Sequence, residues 1–139
     1  MASLLEQARA RAAARRERQV TITIPELEMD LLCNVPTDMA SIEKMQSAAK
    51  AVDKGRAMAT NFARALVAAQ TVEIRIDGEL VTVDGEPVSF RDPELWPDLG
   101  VADPKSAVVE LIGADGDVLM IASELMTEAG FARDDEDPI

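Results

Sequence analysis

Cys33 is the one cysteine among 139 residues, and the chain has no histidine. A thiol becomes a strong nucleophile when a neighbouring base takes its proton, and imidazole is the usual base. Without histidine no Ser-His-Asp arrangement can be assembled, and the usual zinc site of cysteines and histidines cannot be built. A single cysteine also excludes an internal disulfide framework. Cys33 follows Leu31-Leu32 and reads as a buried small hydrophobe. Asp115-Gly116-Asp117 opens like a calcium loop. The sixth position of such a loop would be Met120 where glycine is needed, and the twelfth Met126 where glutamate is needed, so the loop is rejected. Neither glycine-rich phosphate fingerprint is present. The acids of Asp77-Gly78 and Asp84-Gly85 read as solvated turn residues rather than an acid–base pair. No catalytic residue, metal or cofactor is expected, the chain is not expected to be an enzyme, and an interaction protein remains.

The elements that would build such a protein follow from period and punctuation. Val20, Ile22 and Ile24 alternate with Thr21 and Thr23, which predicts a strand with one buried face. Pro25 interrupts it. Leu27, Met29 and Leu31 alternate with Glu26, Glu28 and Asp30 in a second strand-like run. Pro36-Thr37-Asp38 predicts a turn and cap before a helical region. Its apolar stripe is Met39, Ile42, Met45, Ala49 and Val52, continued by Met58, Phe62, Ala65, Leu66 and Ala69. Gly55 leaves two readings open, one helix with a weak point or two helices. From Thr71 to Phe90 the period drops to two. Asp77-Gly78 and Asp84-Gly85 suit type I′ hairpin turns, which need positive φ. That register sets Ile74 opposite Val81, Val72 opposite Val83 and Val81 opposite Val88, a three-stranded meander with Pro87 at an edge.

Residues 92–131 carry three helix starts. They are Asp92-Pro93, Asp103-Pro104 and Asp115-Gly116-Asp117, since aspartate accepts from the free N–H groups of a first turn and proline there forfeits nothing. Gly100, Gly113 and Gly130 supply left-handed stops, and Phe131 would pack back on Met126 in a Schellman ending. Val118, Ala122, Leu125 and Ala129 form the inward face of the last helix. The expected fold class is α+β. Small antiparallel strands and a meander join a mainly helical middle and a three-helix C-terminal part. The expected organisation is a basic helical arm at 1–18, one α+β domain at 19–131 and an acidic disordered tail at 132–139.

Bulk composition narrows the partners. The apolar content of 47% can fill a core, but with three Phe, one Trp and no Tyr that core must be aliphatic and methionine-rich. A formal net charge of −12 repels nucleic acid and acidic membranes. Arg9, Arg11, Arg15, Arg16 and Arg18 nevertheless make the first 18 residues net positive against Glu6 and Glu17. A nucleic-acid arm, a partner-docking helix and a solvated helix are all open, and the acidic body favours the last two. No run is long and apolar enough for a membrane span, and Val20–Ile24 is too short and polar for an export core. No nucleic acid and no membrane are expected as partners, and the expected location is the cytosol.

The motifs Asp92-Pro93-Glu94-Leu95, Leu99-Gly100-Val101, Pro104–Ile112 and Asp117–Phe131, roughly a third of the chain, resemble the C-terminal part of tail assembly chaperones of long-tailed, siphovirus-type bacteriophages. The resemblance implies a protein that binds the long, apolar, helix-rich tape measure protein, keeps it soluble and helps recruit major tail (tube) subunits around it. It implies action in the host cytoplasm and absence from the mature virion. The family is commonly made in two lengths by ribosomal frameshifting, so the chain's own longer form is a further expected partner. Large or adaptable apolar residues dominate recognition surfaces, which singles out Trp96, Leu119, Met120 and Met126 as partner contacts. The competing class is a structural virion protein, a head–tail adaptor or tail component; an acidic regulator using its arginine-rich arm on nucleic acid is a third.

Overall fold

The computed structural model describes residues 3–130 and is an α+β fold. Strand β1 (Gln19–Ile24) runs antiparallel to β2 (Met29–Asn34), from Gln19 opposite Asn34 to Ile24 opposite Met29. Ile22 and Ile24 are buried while Thr21 and Thr23 face out, as alternation requires. The second strand starts later than its alternation suggests. Pro25–Leu27 forms a 3-10 turn and Glu28 takes the left-handed conformation at φ 50°. Proline fixes its own φ and offers no N–H, so the chain turns there before pairing resumes.

Two helices follow, α2 (Met39–Val52) and α3 (Gly55–Gln70), which settles the question left open at Gly55. Asp38 caps α2 by accepting from the Ala40 N–H at 3.0 Å. The break falls at Asp53-Lys54, and Gly55 begins α3 with φ 59°, a conformation without penalty for glycine. The α3 stripe is rotated from the expected one. Ala63, Leu66, Val67 and Ala68 are buried, whereas Met58, Phe62, Ala65 and Ala69 are half-buried. In α2 the stripe ends are open, with Met39 46% and Val52 74% exposed. Helix α3 packs against α2 and against two later helices, and that triple contact chooses its inward face.

Strand β3 (Thr71–Ile76) joins β2 on one side and β4 (Glu79–Leu80) on the other, giving one antiparallel sheet in the order β1-β2-β3-β4. Asp77-Gly78 makes the expected two-residue turn with positive φ at both positions. The Val81 N–H bonds the Ile74 carbonyl at 2.8 Å, as that register requires. The Val88 N–H bonds the Val81 carbonyl at 3.3 Å, so Val81 also stands opposite Val88 as expected, and the meander departs from its expected register only beyond Val81. Thr82–Val83 (β5) and Glu86–Pro87 (β6) form a separate two-stranded ribbon around Asp84-Gly85, so Val83 does not pair with Val72. The cause is the next segment: Val88, Ser89 and Phe90 are all buried and draw the chain inward. Burial of a phenylalanine outweighs the few hydrogen bonds a longer ladder would add.

The C-terminal part holds three helices: α4 (Trp96–Leu99), α5 (Pro104–Ile112) and α6 (Asp115–Ala129). Asp103 caps α5 as expected, accepting from the Ser106 N–H at 2.8 Å. Asp92 does not cap a helix; its carboxylate accepts from the Ser89 N–H at 2.7 Å, and α4 starts only at Trp96-Pro97. Asp115 and Asp117 lie inside the first turn of α6 and face its positive end instead of capping it. Gly130 stops α6 in the left-handed conformation. The packing of Phe131 on Met126 and the tail at 132–139 lie outside the described residues. Val118, Ile121, Ala122 and Leu125 face inward and join the sheet and α3 in one apolar core. No helix among the described residues is long and apolar enough to cross a membrane.

Candidate functional site

Helices α2 and α3 do not close over their outer surfaces. Glu43, Gln46, Ser47 and Lys50 of α2 recur at helical spacing along one wall of a groove of about 600 Å³. Met58, Ala59 and Phe62 of α3 form the other wall. The groove exists because the inward turn of α3 leaves its methionine and phenylalanine at the seam. Alanine at position 59 keeps the floor open. The join of the helices is held by Asn61, whose amide donates to the Asp53 carboxylate at 2.9 Å. An apolar floor with a polar rim suits the apolar face of a helix laid lengthwise. Of its lining residues Glu43 and Lys50 carry charge, one of each sign.

The residues singled out from sequence divide into two pairs. Leu119 and Met120 lie on the open side of α6, 39% and 40% exposed. Trp96 and Met126 are half-buried and pack against the core. Trp96 donates its indole N–H to the Phe90 carbonyl at 2.8 Å, which occupies its polar edge. The four therefore do not form one surface. The sequence reasoning missed Met58 and Phe62 as surface residues because they were assigned to a buried stripe; the polar Glu43, Gln46, Ser47 and Lys50 repeat in α2 is the signal that could have marked the wall opposite them.

No family model matches the chain, no curated protein matches its sequence, and no solved structure matches its fold.

Cys33 is buried, 3.6 Å from the Thr71 hydroxyl, which donates to the Val67 carbonyl at 2.6 Å. Burial pushes the Cys33 thiol up to about 11. Raised above the unfolded value of 9.0, this group contributes stability that is complete at neutral pH and falls away as pH climbs from 9.0 toward about 11. Native protein at pH 8 is thus expected to react with a thiol reagent at least about tenfold more slowly than protein in denaturant. Equal rates would place Cys33 outside the core. Glu28 and Asp77 meet at the sheet end, where a hydrogen bond between their carboxyls and their mutual repulsion raise the Glu28 carboxyl above its usual range. Asp103 is held below its usual range by hydrogen bonds from Ser106, as a helix cap should be. Among the described residues no group of three or more His, Cys, Asp or Glu side chains is placed to hold a metal ion.

Proposed function

We propose that this chain is a tail assembly chaperone of a long-tailed bacteriophage. It binds the tape measure protein, keeps it soluble in the host cytoplasm, helps recruit tail-tube subunits and is left out of the finished virion. The observation that carries the reading is the α2–α3 groove, an open trough with an apolar wall edged by polar side chains. The resemblance of residues 92–131 supplies the client. A tape measure protein is a long succession of apolar-faced helices, and a helix-sized trough floored by methionine and phenylalanine accepts many such segments without demanding one sequence. The net charge of −12 keeps the loaded complex dispersed.

Co-expression with the tape measure protein encoded beside it is the test. Soluble client and co-purification are expected, with little loss on raising salt, because apolar burial is not screened. Met58→Asp, which sets a charge on the groove wall at a residue not packed on the core, should return most of the client to the insoluble fraction while the variant itself stays folded. No gain in soluble client from the unchanged chain, together with its stoichiometric presence in purified particles, would replace this reading by that of a structural virion protein.

A further inference from the structure

Helix α1 (Leu4–Arg16) is formed but has no seat. None of its residues is buried, and Leu4 and Leu5 stand 83% and 76% exposed. Its start is fully capped: Ser3 accepts from the Glu6 N–H at 3.1 Å and Glu6 accepts from the Ser3 N–H at 3.0 Å. Thirteen residues of helix are marginal in water unless an apolar face is covered. Leu4, Leu5, Ala8 and Ala12 share one face, flanked by Arg11 on one side and by Arg9 and Arg16 on the other, with Arg15 on the same face at its C-terminal end. A covering surface should therefore be apolar and acidic.

The open face of α6 has that character. Gly116, Leu119, Met120, Ser123, Glu124 and Thr127 follow helical spacing along it. Asp117 and Glu124 have no ion-pair partner among the described residues. The charge balance is equally lopsided. Five arginines and two glutamates give residues 1–18 a charge of +3, which leaves −15 of the total −12 on the rest. The lengths agree: helices of 13 and 15 residues span about 20 and 22 Å.

The arm does not cover that face on its own body, since Leu4, Leu5, Leu119 and Met120 all stay exposed. Only Glu17 and Arg18 separate it from β1, and that joint is pinned. The Val35 N–H bonds the Arg18 carbonyl at 2.9 Å, and the Arg18 guanidinium pairs with the Glu128 carboxylate at the end of α6. We propose that the chain forms a two-fold symmetric dimer in which α1 of each copy lies on the exposed face of α6 of the other. The same pair of contacts then occurs twice, as a closed isologous interface requires. The arm's base beside Glu128 already stands at one end of that face, so a partner related about this end meets the arm with its own α6.

The purified full chain, without client, tests this by light scattering coupled to gel filtration. A particle of twice the 15.0 kDa chain mass is expected. Leu4→Asp with Leu5→Asp should weaken the dimer at least about tenfold and keep the far-ultraviolet helical spectrum of the body, since nothing in α1 is buried. Leu119→Asp with Met120→Asp should do the same from the other side. Register is read in a Cys33→Ala background by mixing a Leu5→Cys chain with a Leu119→Cys chain under mild oxidation. Mixed disulfides between the two chains are expected. A monomeric unchanged chain, a dimer that survives both aspartate pairs, or crosslinks chiefly between two Leu5→Cys chains would overturn the proposal. Its failure leaves the groove and its client untouched, because no client is present.

Discussion

Leu125→Ala is expected to destabilise the chain by about 2–5 kcal/mol in denaturant titration. Leu125 is completely buried on the inward face of α6, beside Val118, Ile121 and Ala122. That face packs on α3, the helix that also supports α2 and α5, so a cavity there is surrounded by elements that cannot all move to fill it. Leu119→Ala, one and a half turns away on the open side of the same helix, should change stability by no more than about 0.5 kcal/mol. Equal midpoints for Leu125→Ala and the unchanged chain would mean that α6 is not packed as described. A large loss for Leu119→Ala would mean that its open face is already covered, as the proposed dimer requires; the two alanine variants are therefore best compared at concentrations where the chain is monomeric.

Phe90→Ala should cost about 3–5 kcal/mol. Phe90 is the largest completely buried side chain, and its own carbonyl accepts the Trp96 indole N–H. It thus anchors the segment from Val88 to Trp96 twice, through its ring and through its backbone. The Phe90 ring accounts for most of the loss, because Trp96→Phe removes the hydrogen bond and only part of a half-buried ring and should cost about 1–2 kcal/mol. If Phe90→Ala loses less than Trp96→Phe, the hydrogen bond rather than the ring fastens this segment. The split of the expected meander into a sheet and a ribbon would then need a different cause.

Where the sequence alone was decisive, the deciding physics acts within about four residues. Asp77-Gly78 and Asp84-Gly85 adopt positive φ and make hairpin turns because few other pairs tolerate that backbone. Asp103-Pro104 starts α5 and Gly130 stops α6 because caps satisfy groups adjacent in the chain. Val20, Ile22 and Ile24 are legible as a strand, and Cys33 as a core residue, since alternation is a local pattern. The absence of histidine, and with it any histidine-based triad, is a fact of composition.

The tertiary structure decided what depends on distant partners. Asp92 has the chemistry of a cap, yet it turned back to Ser89 because Phe90 had to go inward. The α3 stripe offered several apolar faces, and simultaneous packing on α2, α5 and α6 selected the one through Ala63, Leu66 and Val67. That selection left Met58 and Phe62 at the seam and so made the groove. Trp96 and Met126 joined the core while Leu119 and Met120 stayed outside, although all four are the kind of side chain a partner would use. Hydrophobic attraction has no direction of its own, so which apolar face is covered depends on what the rest of the chain brings against it.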